Sequence, residues 1–310
     1  MVFKTLDLDW SVKKHQGKVR DFYKINNKRI LITTDRISAF DRVLGYIPYK
    51  GQVLNQLSQF WFNKTRDIVN NHLIEVICPN VMVVHEAKPY PVEMVVRGYI
   101  SGVTSTSLWH SYQKGDRIIY GIKFPEDLKK NQKLLSPVIT PTTKAEKGLH
   151  DAKLTEAEIL KKKLIPIKVW KKMKEVSLAL FKRGQLICNR TGIILVDTKY
   201  EFADYKGKLM LIDEIHTPDS SRFWKKDSYK KRMAKSIEPE NFDKEFFRIW
   251  YAKKGYIGEG IPPKMSNDLM IKTSKRYIKI YEMITGKKFK HEFYPLQKNI
   301  KKAIKNYLKN

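Results

Sequence analysis

Apolar and polar positions set out a β-hairpin near the start of the chain: Val19, Phe22 and Tyr23, then Asn26-Asn27, then Ile30-Leu31-Ile32. Asparagine accepts the positive φ that a tight turn requires, so the pattern predicts two strands joined by a short loop. Val53, Leu54, Leu57, Phe60 and Trp61 then recur at helical spacing, which predicts an amphipathic helix. Val76-Ile77, Val81 to Val84 and Glu93 to Val96 read as strands. From Tyr112 to His150, Pro125, Pro137 and Pro141 stand among polar residues, the mark of a loop-rich segment suited to covering a substrate.

Thr155-Glu156-Ala157-Glu158 has the spacing of a capping box and starts a helix that must stop before Pro166. A longer helix follows, with Val169, Met173, Val176 and Leu180 on one stripe and Gly184 as its expected C-cap. A second hairpin runs from Leu195 to Ile215 and turns through Asp204-Tyr205-Lys206-Gly207. A three-residue loop with Gly207 left-handed sets Asp213 opposite Lys199, so that Asp197, Lys199, Glu201 and Asp213 share a face. A loop one residue longer or shorter turns Asp213 away. The last third, from about Ser228, reads as helical and basic, and no internal repeat is present.

A chain of 310 residues buries roughly 75% of its unfolded surface, enough for one large domain or two lobes sharing a cleft. The first residues lack an apolar signal core, and no apolar run approaches the roughly 20 residues that cross a bilayer. The expectation is a protein of the cytoplasm, without membrane partners and working as a monomer. The only cysteines, Cys78 and Cys188, lie far apart, which fits core thiols in a reducing compartment rather than a zinc site or disulfide scaffold. The formal charge of +29 would suit nucleic acid. The lysines are scattered, however, as in Lys161-Lys162-Lys163, Lys225-Lys226 and Lys287-Lys288, and that spread favours solvated faces over a nucleic-acid groove.

Four segments concentrate chemistry. Glu201 and Asp213 beside Lys199 suit a magnesium ion bridging phosphate oxygens, with the lysine neutralising a phosphate or carboxylate; a cross-strand salt bridge from Lys199 to Asp213 explains the same pattern. Gly17-Lys18-Val19-Arg20 places two cations on one side of a strand beside a glycine, able to hold phosphates, or simply an exposed strand. Arg97, near Thr104, Ser105, Thr106 and Ser107, suits a phosphate monoester, although those hydroxyls also suit a helix cap. Thr217 to Arg222 exits the second hairpin, so Ser221 and Arg222 can return over the same face. His150-Asp151 is less clear, and lone histidines such as His15, His72 and His291 fit surface positions better than ligand positions.

Taken in order, GKVRDFY from Gly17, TDRISAFDR from Thr34, PVEMVVRGYISG from Pro91, TKAEKGLHD from Thr143, LVDTKYEFA from Leu195 and IDEIHTPDSSRFW from Ile212 resemble the SAICAR synthetases, the ATP-dependent ligases of purine biosynthesis. The resemblance implies a two-lobed α+β fold with a distant likeness to kinases. An N-terminal antiparallel sheet lobe, residues 1–88, would cover ATP, and a larger α/β C-terminal lobe, residues 89–310, would carry the substrate and magnesium site. Gly17, Lys18, Val19 and Arg20 would then hold the phosphates of ATP, and the backbone of Glu86, Ala87 and Lys88 the adenine. Glu201 and Asp213 would be the Mg2+ carboxylates. Glu93, Arg97, Asp151, Asp197, Lys199, Ser221 and Arg222 would surround an imidazole ribonucleotide, with Lys18, Asp197, Lys199 and Arg222 as the catalytic groups.

The sequence departs from the family pattern at two points. Ala203 stands where a glycine is usual, and Val103 where a hydroxyl is usual, which moves the expected contact to Thr104 or Ser105. Ser38, Phe40 and Asp41 are the candidates for the L-aspartate subsite. A kinase-like phosphotransferase, or a basic nucleic-acid-binding protein that keeps the fold, are the rival functions.

Overall fold

The computed structural model describes residues 1–8, 12–144 and 151–309. The first strand, β1 (Lys14–Gln16), was not foreseen; it turns through Gly17, Lys18 and Val19 into β2 (Arg20–Ile25), which pairs with β3 (Lys28–Thr33) across the Asn26-Asn27 turn. Asn26 takes the left-handed φ of 52° that the sequence called for. A small ribbon of β4 (Arg36–Ala39) and β5 (Arg42–Tyr46) leads into α1 (Lys50–Lys64). Then come β6 (Leu73–Cys78) and β7 (Val81–His85), which complete an antiparallel sheet ordered β1-β2-β3-β7-β6.

The long strand β8 (Lys88–Tyr99) opens the second sheet and is followed by α2 (Leu108–Tyr112). The loop-rich segment holds the short strands β9 (Ile118–Ile119), β10 (Ile122–Lys123), β11 (Lys133–Ile139) and β12 (Thr142–Thr143). Helix α3 (Glu156–Lys161) starts at the expected capping box, with both reciprocal bonds between Thr155 and Glu158 formed. Helix α4 (Ile167–Arg190) precedes β13 (Ile193–Tyr205), β14 (Lys208–Ile212) and β15 (Ser221–Lys225). Four helices end the described chain: α5 (Lys226–Ala234), α6 (Glu245–Lys253), α7 (Asn267–Thr285) and α8 (Gln297–Lys309). The second sheet runs β11-β8-β13-β14, with β12 on β8 and β15 on β13.

The stripe Met173, Val176 and Leu180 of α4 packs with Val53, Leu57 and Trp61 of α1 against Met94, Val96, Tyr200 and Phe202 of the second sheet. This leaves the alternate residues of β8 and β13 for the opposite face, because strand side chains alternate.

Three expectations change. Helix α4 does not end at Gly184 but runs through it to Arg190. The glycine is needed for close packing instead: a Cβ there would lie 2.5 Å from Cε1 of His216 and 2.6 Å from Cδ2 of Leu195. Among the last helices, α8 packs on the first sheet. It lays Ile300 and Ile304, after Leu296, against Phe3, Tyr23, Ile30 and Ile32 of the first sheet. His72 is no surface residue but is 4% exposed, lying edge-on to Phe62.

Candidate active site

Strands β8 and β13 build the site between them. Arg97 pairs in register with Asp197, Val95 with Lys199 and Glu93 with Glu201. A register shift between Leu195 and Asp197 against β15 matters here. Leu195 packs in the core with Tyr200 and Phe202, so an unbroken alternation would send Asp197 there too. The bulge re-aims it, as bulges beside sites do.

At one end of this face Asp197 binds two guanidiniums. Arg222 approaches it with Nε at 3.0 Å from Oδ1 and Nη2 at 2.6 Å from Oδ2, the bidentate geometry that fixes a planar pair. Arg97 Nη1 lies 3.4 Å from Oδ2, and the rest of its fork donates to Thr140 Oγ1 at 2.8 Å and the Thr106 carbonyl at 3.0 Å. Two cations on one carboxylate leave net positive charge, suited to an anionic ligand. Burial pulls Arg97 below the usual arginine range, with Asp197 opposing. Ser221 donates from Oγ to Thr198 Oγ1 at 2.8 Å. Thr104 and Ser105 are exposed on the loop before α2.

At the other end Lys199 Nζ lies 2.7 Å from Glu93 Oε1 and 2.6 Å from Glu201 Oε1, while Lys144 Nζ holds Glu201 Oε2 at 2.5 Å. Burial works against every charge here, and the pairs decide the outcome. Glu201 is held below the carboxylate range because Lys199 and Lys144 outweigh its desolvation. Glu93 is pushed up to about 7 by burial, against Lys199 and with help from Glu201 and Asp151. Lys199 stays well above the usual lysine value despite burial, because Glu201, Glu93 and Asp213 surround it.

Asp213 reaches this cluster by a route the sequence misassigned. The hairpin turn is two residues, Lys206 and Gly207, with φ of 54° and 76°, and Tyr205 pairs with Lys208. That register is one residue off the expected one, so a continued strand would turn Asp213 away from Lys199. Strand β14 ends at Ile212, however, and Asp213 takes a left-handed φ of 66°. Its carboxylate therefore still feels Glu201 and Lys199 and pairs with Arg20. Burial raises the Asp213 carboxyl to about 6 even with Arg20 beside it.

Arg20 brings the first sheet to this site, since its other nitrogen lies 2.8 Å from Glu214 Oε2. Lys18 does not share that side: it pairs with Asp41 at 2.5 Å on the exposed rim, and the Gly17 amide donates to the Arg20 carbonyl at 2.8 Å. The turn Gly17 to Val19 is thus a closed loop rather than the start of a strand. Glu86 spends its carboxylate on Arg29 and Lys24 and its amide on the Asn27 carbonyl. Ala87 packs with Ala203, Met210 and Ile212 as a small apolar floor, and Lys88 is exposed. Ser38 is buried in β4. Asp151 is half-buried, while His150 and Glu146 lie outside the described residues. Lys144, which the sequence places only near His150-Asp151, and Glu214, which was not singled out, both lie inside quoted motifs; Lys144 reaches the cluster from the end of β12 and Glu214 from the residue after the left-handed Asp213, which no local spacing encodes.

With this geometry in view, the comparisons are specific. A family model described as SAICAR synthetase matches residues 13–262. The phosphoribosylaminoimidazole-succinocarboxamide synthase of Legionella pneumophila (strain Paris) is 50% identical over 286 residues, 91% of each chain. Among solved structures, the chain is similar to the SAICAR synthase of Saccharomyces cerevisiae complexed with SAICAR, with a TM-score of 0.79 and 31% identity, over 93% of this chain and 100% of that one. It is also similar to a SAICAR synthetase in complex with ADP, with a TM-score of 0.69 and 27% identity, over 90% and 100%.

Proposed function

The chain belongs to the SAICAR synthetase family, whose members join 5-amino-1-(5-phospho-D-ribosyl)imidazole-4-carboxylate to L-aspartate with consumption of ATP, and from that premise we propose how its residues divide the work. The γ-phosphoryl group of ATP passes to the imidazole carboxylate, giving an acyl phosphate and ADP. The aspartate amine then attacks the acyl carbon, the C–O bond to phosphate breaks, and the amine loses a proton as the amide forms. A free carboxylate is a poor electrophile, so activation must come first. Positioning and charge stabilisation carry both steps, with no covalent enzyme nucleophile.

In this reading Gly17, Lys18, Val19 and Arg20 hold the ATP phosphates, and the backbone of Glu86 to Lys88 borders the adenine. Arg97, Arg222, Ser221 and Asp197 orient the sugar phosphate end of the nucleotide, and Lys199 with Glu93 and Asp151 faces its carboxylate. Thr104 and Ser105 close over it. What supports this division is the single face of β8 and β13 on which Arg97, Asp197 and Arg222 meet at one end and Glu93, Lys199 and Glu201 at the other.

The donor set fits magnesium. Glu201 and Asp213 are hard oxygen donors, and burial keeps the proton affinity of Asp213 raised even with Arg20 beside it. Magnesium there would neutralise the charge of bridging phosphate oxygens. The division into lobes at residue 88, amended to give α8 to the first lobe, is proposed with it, as are a monomeric enzyme and a cytoplasmic setting; the free thiols Cys78 and Cys188 accord with the latter.

The test is product analysis with ATP, the imidazole carboxylate nucleotide and L-aspartate. Phosphate released together with an amide is expected. A stable phosphoester instead would make the protein a kinase-like phosphotransferase. In the same assay Glu201→Gln should raise the magnesium requirement roughly tenfold or more.

A further inference from the structure

The match to the family model stops at residue 262, yet the helix that follows reaches the middle of the molecule. Helix α7 turns Thr273, Ser274 and Tyr277 inward, all buried, on the face that spacings of three and four create. Ser274 Oγ donates to the Pro48 carbonyl at 2.8 Å, just ahead of Lys50, which opens α1. One turn further along, the Tyr277 hydroxyl donates to Asp219 Oδ1 at 2.7 Å, and Lys50 Nζ lies 2.8 Å from the other oxygen, Oδ2. The Lys50 ammonium also stands 5.9 Å from the centre of the Tyr277 ring, and both side chains are closed to solvent. Lys244 is a more distant neighbour of the carboxylate, at 3.9 Å. Burial works against the charge of Asp219, but Lys244, Lys50 and Tyr277 hold the carboxyl below its usual range. Burial and the Asp219 charge raise the phenol well above its ordinary value, so it stays a donor.

What this clamp fixes is the turn before β15. The Asp219 amide donates to Thr217 Oγ1 at 3.2 Å and the Ser221 amide to the Thr217 carbonyl at 2.9 Å, so the carboxylate and the turn are one unit. The Ser220 carbonyl accepts from the Lys199 amide at 2.9 Å. Ser221 and Arg222 then make their bonds to Thr198 and Asp197. A continuous line of contacts therefore runs from α7, outside the matched residues, to the reactive face of β13. Misplacing a substrate-holding group by about 1 Å costs roughly 10²-fold in rate, so the anchor of such a turn matters to turnover. We infer that Tyr277 is a positioning residue, which by holding Asp219 sets where Ser221 and Arg222 meet the imidazole nucleotide; this rests on the ligase reading above.

The experiment is steady-state kinetics of Tyr277→Phe, which removes the donor and keeps the ring, with the melting temperature measured alongside. The KM for the imidazole nucleotide should rise about tenfold, the scale of one hydrogen bond to a charged group, while the KM for ATP stays within about twofold. A purely structural hydroxyl would lower the melting temperature and leave both KM values in place, because the molecules still folded would bind normally. Asp219→Asn alone should raise the same KM. In that background Tyr277→Phe should add less than about twofold, since residues acting through one another are not additive. An unchanged nucleotide KM in Tyr277→Phe, an equal rise in the KM for ATP, or the same factor in both backgrounds overturns the assignment. So does failure of Tyr277→Phe to fold, which would make the hydroxyl structural. If wild-type protein forms no amide at all, the ligase reading fails instead.

Discussion

Lys199 stands between two carboxylates, and its removal leaves Glu93 and Glu201 facing each other in register without the cation they share. Lys199→Ala should therefore lower turnover by about 10²- to 10³-fold, the scale of losing one stabilising donor to a developing charge, with far-UV circular dichroism unchanged. Near-normal rates would remove Lys199 from the catalytic groups. The carboxylate, lysine, carboxylate alternation of Asp197, Lys199 and Glu201 was readable because period two is a local property of a strand. Asp213 was placed at the site through a wrong loop length, and the structure restores it through a left-handed φ that no pattern announced. His72 was misread because a lone histidine carries no sign of what will bury it, here the ring of Phe62.

Helix α4 shows the same division between local and distant information at the level of the element. Its apolar stripe and the capping box before α3 are written in residues three and four apart and fold as read. Gly184 has two readings in sequence, a stop or a close approach, and only the loop through His216 decides between them. The left-handed His216, with φ of 48°, presses its ring on this glycine and shares a 2.6 Å hydrogen bond with the Tyr200 hydroxyl. Gly184→Ala should cost about 1–3 kcal/mol through overpacking, read from the urea midpoint, even though alanine is the better helix former. A gain in stability would show that the contact yields freely. The same loop carries Asp219 and leads into Ser221 and Arg222 at the start of β15, so a loss of activity beyond the loss of stability should accompany it.

Stability against pH belongs to the whole molecule, because several buried groups titrate in opposite senses. His72 and His216 are both held neutral by burial, down to about 3. Their folded values lie below the unfolded one, near 6.5, so the unfolded chain takes up their protons first, and stability is lost as pH falls from 6.5 toward 3. At pH 5 each contributes a loss of about 2 kcal/mol. Glu93 and Asp213, raised to about 7 and 6, oppose this, since the folded state gains their protons first on acidification. The isolating comparison is His72→Asn, which stays polar and cannot titrate. Between pH 7 and pH 5 it should lose about 2 kcal/mol less than the wild type in urea unfolding; equal losses would mean that His72 is protonated in the native state.

The helix at Gln297–Lys309 has a consequence for how the protein comes into being. The first sheet is made before the helix that covers it, since its apolar side, with Tyr23, Ile30 and Ile32, packs on Leu296, Ile300 and Ile304, which leave the ribosome more than 260 residues later than Ile32. During that interval the nascent strands hold open a hydrophobic surface of the kind chaperones recognise. Catalytic competence should therefore arrive abruptly once Leu296 to Ile304 have emerged rather than growing steadily with chain length.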